Sequence, residues 1–335
     1  RSVDTTTPSE TSLQRRGVLP GESSLPFGTL PGGTSTLKVQ QAGRYQILER
    51  IGRGGMATVF KANDPTIGRD VAIKFLHASL CEGEDYRARF LQEARAAGGL
   101  SHPNIVIVHD VGEIEGRPYM AMELLSGISL SEELEKSKTI AVHDVVVMGI
   151  QLARALDYAH GRGIIHRDIK PGNIMRLTGS RTIKVTDFGI AHIDDNAGGE
   201  SSLRTRVGDV LGTPQYMSPE QAQGKLSTDH RTDVYALGVI LYRMLTGKVP
   251  FSAESFPMLI VAIVTQDAPS VLLLRPELPS AMDGIVRRAL QRLGAGAQIA
   301  RPVIDDRHCL RHGQRPPIPN CHARAGGHPC RLRFG

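Results

Sequence analysis

Long apolar segments and paired cysteines are both missing from this sequence. No stretch of about 18 uninterrupted apolar residues occurs, and the longest candidate, Val234–Met244, is interrupted by Gly238 and Arg243, so no membrane-spanning helix is predicted. Cys81 is the one cysteine before position 309, which removes the need for a disulfide in the body of the chain and favours a reducing, cytoplasmic compartment. A secretory signal is also missing, and Arg1 stands where an initiator Met would be expected. We therefore expect a fragment whose full-length form could carry a membrane or sensor segment before Arg1.

The positive charge of the chain is unevenly distributed. The formal net charge is +6, and residues 301–335 hold seven Arg, no Lys and two Asp, whereas residues 1–40 are close to balanced. The middle of the chain is neutral. Because a nucleic-acid-binding domain carries its basic residues on a folded surface, this distribution predicts no nucleic-acid partner.

Composition predicts three domains. Residues 1–43 are rich in Thr, Ser, Pro and Gly and poor in large apolar side chains, so they are expected to be a disordered linker. Residues 44–292 are predicted to fold as a two-lobed α+β domain. Its N-lobe, residues 44–124, would hold an antiparallel sheet with one helix, and its C-lobe, residues 125–292, would be mainly helical. Residues 293–335 lack any period and a Cys-x₂-Cys unit, which predicts an irregular basic tail without a zinc site.

Hydrophobic spacing predicts the individual elements. Alternating apolar positions predict strands over 45–48, 58–61, 70–74, 105–111 and 119–123. A helical period predicts helices over 86–100, 143–160 and 232–246. Successive side chains of a strand face opposite ways, so Val71 and Ile73 are expected on one side and Ala72 and Lys74 on the other, towards a cleft.

One stretch carries several chemically suitable groups at fixed spacings. His166–Asn173 reads HRDIKPGN, and the triplet DFG follows from Asp187. Asp168 can accept the proton of an incoming hydroxyl, and Lys170 can neutralise charge on a transferred phosphoryl group. Asn173 and Asp187 offer the neutral and anionic oxygen ligands that Mg²⁺ prefers. A loop held only by charged side chains is the structural alternative, but this many matching positions favour a phosphoryl-transfer centre.

A glycine-rich segment lies between two predicted strands, where its backbone N–H groups can approach a triphosphate. From Gly52 to Val59 it reads GRGGMATV, with Ala57 where the usual pattern has a third glycine. A plain turn is the alternative. Lys74 ends the strand pattern VAIK and Glu93 lies in the following predicted helix, so we expect a Lys74–Glu93 pair that holds the lysine against phosphates. Two solvated surface charges would be the simpler interpretation.

With these motifs, the chain resembles the catalytic domain of the bacterial eukaryotic-like serine/threonine protein kinases over residues 44–291. Met56 and the tetrapeptide Ser218–Gln221 fit the bacterial branch. The resemblance implies an enzyme that transfers the γ-phosphoryl group of ATP, with Mg²⁺ or alternatively Mn²⁺, to Ser or Thr hydroxyls of protein substrates. The Ser/Thr preference rests on Lys170 and on Thr213, a substrate-loop residue in the segment GTPQY.

The resemblance also implies which residues perform catalysis and contact the nucleotide. The catalytic residues would be Asp168, Lys170, Lys74 and Glu93. The ATP-binding residues would be Ile51, Gly52, Arg53, Gly54, Gly55, Met56, Ala57, Thr58, Val59, Ala72, Lys74, Met122, Glu123, Leu124, Leu125 and Met175. Met122 would lie at the back of the adenine pocket, and the hinge of Glu123, Leu124 and Leu125 would bond adenine through its backbone. Val59, Ala72 and Met175 would enclose the base. Core packing is the alternative for each apolar member.

Regulation by phosphorylation is a further expectation. Arg167 places a cation beside Asp168, which favours an anion on the segment between Asp187 and Glu220. The candidate acceptors are Ser201, Ser202 and Thr205, and a dimer could perform this autophosphorylation in trans. An ordinary polar loop is the alternative. Asp233 resembles the aspartate that anchors the catalytic loop in this family, and helix N-capping is its simpler interpretation.

The resemblance stops near Arg292, and it implies a kinase fold that is truncated at its C-terminal end. The family pattern continues with an Arg near position 297 that pairs with Glu220, and this chain has Ala297 in the segment LGAGA. Loss of one partner of a buried pair typically costs about 3–5 kcal/mol. We expect either a frame-shifted end after Arg292 or a divergent tail. The alternative function is therefore an inactive or truncated kinase-like protein with a regulatory or binding role.

Overall fold

The computed structural model describes residues 40–81, 83–188, 214–225 and 228–291. Within them, the strands are β1 (Gln40–Ala42), β2 (Tyr45–Arg53), β3 (Ala57–Asp64), β4 (Arg69–Leu76), β5 (Val108–Ile114), β6 (Arg117–Glu123), β7 (Gly127–Ser129), β8 (Ile174–Leu177) and β9 (Ile183–Val185). The α-helices are α1 (Ala78–Cys81), α2 (Glu84–Gly98), α3 (Leu130–Lys136), α4 (Val142–His160), α5 (Pro219–Ala222), α6 (Arg231–Thr246), α7 (Phe256–Thr265) and α8 (Ser280–Ala289). The prediction of a sheet-based N-lobe and a mainly helical C-lobe is confirmed.

The N-lobe is built on one antiparallel sheet with the strand order β1-β2-β3-β4-β6-β5. Two-residue turns join β1 to β2 and β5 to β6. The second turn contains Glu115 and Gly116 with φ angles of 51° and 74°, the left-handed values that a tight hairpin turn requires. These turns fix the register of the strands, and so they determine which side chains face the cleft.

The two faces of β4 pack in different clusters, as the alternation predicts. Val71 and Ile73 belong to an apolar cluster with Tyr45, Phe75 and Tyr119 on the outer side of the sheet. Ala72 belongs to the opposite cluster, which includes Phe90 and Ala94 of α2 together with Met120 and Met122 of β6. The predicted orientation of this strand is therefore confirmed, and the side of the sheet that carries Ala72 is the side covered by α2.

Two predicted boundaries were wrong. The strand predicted over 105–111 begins at Val108, because Ile105 instead makes a parallel bridge to Val185 of β9. The predicted linker of residues 1–43 also ends too late, because β1 pairs with β2 and buries Ala42 to 1% exposure. The apolar run at Ile105 does not identify its pairing partner, and β1 reads QQA, which has no apolar alternation from which a strand could be predicted.

The C-lobe has α6 at its centre. Twelve of the sixteen residues of α6 are buried, which explains why its sequence shows so little polar surface. Gly238 lets α8 approach closely, since a Cβ atom at this position would lie 2.8 Å from the Cβ of Ala289. The small sheet β7-β8-β9 lies within this lobe, where the motif His166–Asn173 immediately precedes β8 and Asp187 follows β9. Among the residues that the structure describes, no helix has both the length and the apolarity needed to cross a membrane.

Candidate active site

The loop that contains Asp168 is anchored from below by Asp233. Its carboxylate, which is fully buried, accepts hydrogen bonds from the backbone N–H of His166 at 2.8 Å and of Arg167 at 2.7 Å, and it lies 2.7 Å from Nε2 of His160. Asp233 is the third residue of α6, and the N-cap is His230. The N-cap interpretation of Asp233 is therefore wrong, and its contacts are with the loop that contains Asp168 and with His160 of α4.

Asp168 lies at the centre of a compact polar group. Lys170 Nζ donates to Oδ2 of Asp168 at 2.6 Å, and Nδ2 of Asn173 donates to the same oxygen at 3.1 Å and to the Asp168 carbonyl at 2.9 Å. The side chains of Asp168 and Lys170 each remain 22% exposed. The base, the cation and the amide predicted from the spacing therefore lie together at an accessible surface.

Asp187 connects this loop to the N-lobe. Lys74 Nζ donates to Asp187 Oδ1 at 2.8 Å across 113 residues of sequence. Burial alone would raise the pKa of the Asp187 carboxyl, but the charge of Lys74 and its hydrogen bond to Asp187, together with the charge of Lys170, more than offset burial and hold that pKa below its ordinary value. Asp187 is therefore ionised at neutral pH, as a metal ligand must be.

Backbone conformation at the two catalytic motifs is strained. Arg167 and Asp187 adopt φ angles of 65° and 59°, a left-handed region that costs a non-glycine residue on the order of 1–3 kcal/mol. Surrounding contacts hold both in place: His166, fully buried, approaches the Thr186 carbonyl with Nε2 at 2.9 Å, and its ring lies 4.6 Å from that of Phe188. Strain of this kind is concentrated at functional sites.

Asn173 and Asp187 suit a hard divalent cation. The Thr186 N–H donates to the Asn173 carbonyl at 2.9 Å, which holds Asp187 next to Asn173. Since the Asn173 amide nitrogen points at Asp168, its oxygen is directed away from that carboxylate. The Asp187 side chain is 35% exposed, so an ion can reach it. One amide and one carboxylate oxygen are the donor set that Mg²⁺ accepts alongside water and phosphate.

The predicted adenine-binding residues share one apolar surface. Ala72 and Met122 are cross-strand neighbours on β4 and β6, and both are buried to 6% exposure. Val59, Leu124 and Leu125 are partly buried against the same cluster. This face of the sheet therefore provides an apolar surface of the kind that a purine base requires.

The two remaining predicted adenine-binding residues are Met175 and Glu123. Met175 lies on β8 and is partly exposed. At the hinge, the Glu123 N–H already donates to the Ile107 carbonyl at 2.9 Å. The Glu123 side chain accepts from the Ile107 N–H at 2.8 Å and from Lys184. The Glu123 N–H is therefore not available to adenine.

The glycine-rich loop connects β2 and β3. Its tip is closed by a hydrogen bond from the Gly54 N–H to the Ala57 carbonyl at 2.9 Å. Gly52 lies opposite Val59, and Arg53 opposite Thr58. The other predicted members of the loop are Ile51, which is 47% exposed on β2, and Gly55 and Met56, which lie in the turn. Val59 in turn pairs with Lys74, so the loop lies directly above the lysine that contacts Asp187.

Some predicted positions lie outside what is described. The backbone of Glu93 belongs to α2, but its side chain is among those that the structure does not describe, so the Lys74–Glu93 pair stays a prediction. The phosphorylation candidates Ser201, Ser202 and Thr205 and the substrate-loop residue Thr213 are also outside the described residues. The tail of residues 293–335 is outside them as well.

Several contacting residues were missed by sequence reasoning. Gln221 Nε2 donates to the Arg167 carbonyl at 2.8 Å, and Ser218 and Gln221 form a capping box around α5. The S-x-x-Q pattern could have indicated this box. Glu220, expected to lack its partner, accepts from Thr232 Oγ1 at 2.9 Å. Among the described residues, Glu220 therefore has a hydrogen-bond donor in Thr232.

Comparisons with known proteins agree with this geometry. The family model described as protein kinase domain matches residues 45–282. The probable serine/threonine-protein kinase PknB of Lactococcus lactis is 41% identical over 249 residues, which cover 74% of this chain and 39% of that protein. PrkC of Bacillus subtilis, a serine/threonine-protein kinase, is 39% identical over 74% of this chain and 37% of its own length.

A solved structure supports the same assignment. The kinase domain of Mycobacterium tuberculosis PknI is 28% identical and superimposes with a TM-score of 0.59, covering 77% of this chain and 92% of that domain. The chain spans about two fifths of the length of the curated relatives named above. With the family model covering well over half of its residues, this chain belongs to the protein kinase family.

Proposed function

We propose that this chain is a serine/threonine protein kinase that transfers the γ-phosphoryl group of ATP to Ser or Thr hydroxyls of proteins. The observation that carries the proposal is the convergence of Lys74 from β4, Asp168 and Asn173 from the catalytic loop and Asp187 after β9. Relatives that cover about 74% of this chain bear the name serine/threonine-protein kinase, which supports the acceptor class.

The arrangement assigns each group a part in the transfer. The acceptor oxygen attacks the γ-phosphorus while the bond to the bridging oxygen breaks, so ADP leaves. The hydroxyl proton passes to the Asp168 carboxylate. Lys170, 2.6 Å from that carboxylate, is positioned to neutralise negative charge on the transferred group. Lys74, reaching down from the N-lobe, would hold phosphate oxygens of the nucleotide.

A divalent cation belongs to this proposal as well. Protein kinases use ATP with a divalent metal ion, and Asn173 and Asp187 would hold Mg²⁺, with Mn²⁺ as the alternative ion. The metal would supply positive charge to the phosphates during transfer. Removal of divalent ions with a chelator should therefore abolish transfer, and added Mg²⁺ should restore it.

A phosphate-transfer assay with radiolabelled ATP and a generic protein acceptor tests the proposal. Asp168→Asn should reduce the rate by about 10²–10⁴-fold, because the amide cannot accept the proton. Asp70→Asn is the matched control, since Asp70 is 41% exposed and pairs with Lys61 on the sheet surface. A folded parent protein that transfers no phosphate would support the alternative of an inactive regulatory protein. An Asp168 variant as active as the parent would remove the role given to Asp168.

We also propose autophosphorylation between Asp187 and Glu220, at Ser201, Ser202 or Thr205. Arg167 supports it, because a cation next to the catalytic base is stabilised by a nearby anion. After incubation with Mg²⁺ and ATP, mass spectrometry should find phosphate on this segment. Mixing Asp168→Asn protein with active protein should label the inactive chain if a dimer reacts in trans. Absence of phosphate on this segment would contradict the proposal.

The thiol of Cys81 bears on the cellular compartment. We infer cytoplasmic protein substrates, since among the described residues Cys81 is a free thiol, as expected in a reducing compartment. Trapping of free thiols during cell lysis should label Cys81 without prior reduction. Labelling that appears only after reduction would contradict this placement.

A further inference from the structure

His77 lies under the glycine-rich loop, at the point where β4 ends and α1 begins. Its backbone N–H donates to the Met56 carbonyl at 2.9 Å, and its ring Nε2 lies 3.1 Å from Thr58 Oγ1. Met56 and Thr58 flank Ala57 on the side of the loop that enters β3. His77 therefore contacts the loop twice: its backbone N–H bonds Met56, and its ring bonds Thr58.

The ring of His77 also adjoins the backbone of the loop tip. Burial and the nearby guanidinium of Arg53 lower the pKa of His77, hydrogen bonding to the backbone of Ala57 and Gly55 opposes this, and Arg117 adds to the lowering. The pKa of His77 is therefore below its ordinary value, and the ring is neutral at neutral pH. Arg53 approaches from β2 and Arg117 from β6, so the two charged groups that act on His77 come from different strands of the sheet.

The base of His77 is itself fixed. The Leu80 N–H and the Cys81 Sγ–H both donate to the His77 carbonyl, at 2.9 and 3.3 Å. Arg117 donates to the neighbouring Leu76 carbonyl at 3.0 Å. These contacts hold the backbone at His77 in place. Its side chain can therefore restrain the movement of the loop.

We propose that His77 is a positioning residue that holds the glycine-rich loop in the conformation that binds the nucleotide phosphates; the inference rests on the kinase function proposed above. His77 does not touch the reacting atoms. Its contacts to Met56 and Thr58 reduce the number of loop conformations in the free protein, so less conformational entropy is lost when the phosphates bind. His77 therefore strengthens the binding of ligands that carry phosphates and leaves the binding of other ligands unchanged.

Calorimetric titration of the full chain with ATP and with adenosine tests this directly. His77→Leu should weaken ATP binding by about 3–10-fold, the equivalent of one lost hydrogen bond, and leave adenosine binding within about 2-fold. The Michaelis constant for ATP should rise by a similar factor while kcat changes by less than about 2-fold. His77→Gln, whose amide nitrogen can reach Thr58, should recover most of the ATP affinity. His143→Leu, on the exposed start of α4, is the matched control and should change neither ligand.

A double-mutant cycle with Thr58→Val isolates the contact. If the contact operates, His77→Leu will have a smaller effect on ATP binding in the Thr58→Val background than in the parent. Equal losses for ATP and adenosine, unchanged ATP binding, or fully additive effects would each overturn the inference. Because binding is measured without turnover, a parent protein that binds ATP but transfers no phosphate would count against the proposed function, and the ATP-to-adenosine ratio would still decide the role of His77.

Discussion

At the residue scale, Asp110 organises the polar groups on the outer face of the N-lobe. Its Oδ2 accepts hydrogen bonds from the hydroxyls of Tyr45 at 2.8 Å and Tyr119 at 2.9 Å, and it lies 2.9 Å from the guanidinium of Arg44. Burial and the Asp110 carboxylate raise the pKa of Tyr119 to about 12. The carboxylate therefore satisfies two hydroxyls that the apolar cluster could not accommodate without a partner.

Removal of this carboxylate should destabilise the domain. Asp110→Ala is expected to lower the free energy of unfolding by about 2–4 kcal/mol, because the Tyr119 hydroxyl loses its acceptor and Tyr45 and Arg44 each lose one of their partners. Tyr119→Phe, which removes one bond and no charge, should cost about 1 kcal/mol. Urea unfolding would measure both. The exposed substitution Asp70→Ala should stay within about 0.5 kcal/mol, and a similar loss for Asp70 and Asp110 would contradict this interpretation.

At the scale of elements, two glycines in helices have opposite roles. A Cβ atom at Gly238 of α6 would meet Ala289 at 2.8 Å and Leu290 at 3.0 Å, whereas one at Gly284 of α8 would meet nothing within 4 Å. The absence of a side chain at Gly238 thus permits the close contact between α6 and α8. Gly284 carries the conformational cost of glycine in a helix without a packing reason.

The two alanine substitutions should therefore change the free energy of unfolding in opposite directions. Gly284→Ala is expected to raise the free energy of unfolding by about 0.5–1 kcal/mol through helix propensity. Gly238→Ala should lower it by about 1–3 kcal/mol, because overpacking at α8 outweighs the same gain in propensity. Thermal or urea unfolding of the two variants side by side provides the measurement. If both substitutions stabilise the protein, the close approach of α8 to α6 is wrong.

At the scale of the whole molecule, stability depends on pH through three histidines among the described residues. Burial is the largest cause that lowers the pKa of His77, His102 and His109. A histidine with a lowered pKa in the folded state favours the neutral form there, so its contribution to stability is complete above the ordinary value of about 6.5 and is lost as the pH falls below it.

The free energy of unfolding should consequently fall between pH 7.5 and pH 5.5. Urea unfolding at both values would show the decrease. The triple variant His77→Gln, His102→Gln and His109→Gln should show a flatter pH dependence, although its absolute stability will be lower. A parent protein that is equally or more stable at pH 5.5 would refute the assignment of these three groups. The lowered pKa of Asp187 acts only at more acidic values, below its ordinary pKa near 4.

The sequence was sufficient for those features that are local. Strand alternation placed Ala72 and Lys74 on the same side of β4, and the spacing within His166–Asn173 brought Asp168 next to Lys170 and Asn173. Contacts between distant segments could not be predicted from the sequence. Nothing local relates Lys74 to Asp187, 113 residues away, or reveals that Thr232 would reach Glu220. The apolar run at Ile105 reads like any strand, and its pairing with β9 depends on the position of the other lobe.

That pairing has a mechanical consequence. Besides the covalent hinge after Glu123, the segment before β5 is attached to the C-lobe, where the Val106 N–H donates to the Val185 carbonyl and the Val185 N–H donates to the Asn104 carbonyl, both at 2.9 Å. The Ser101 N–H also donates to the Tyr158 hydroxyl at 3.1 Å, and Nδ2 of Asn104 donates to Oε1 of Gln151 at 2.7 Å. Leu100 and Ile105 are buried in the same apolar cluster as the C-lobe helices. The segment between α2 and β5 is therefore anchored to the C-lobe at several points, although it precedes the hinge in the sequence.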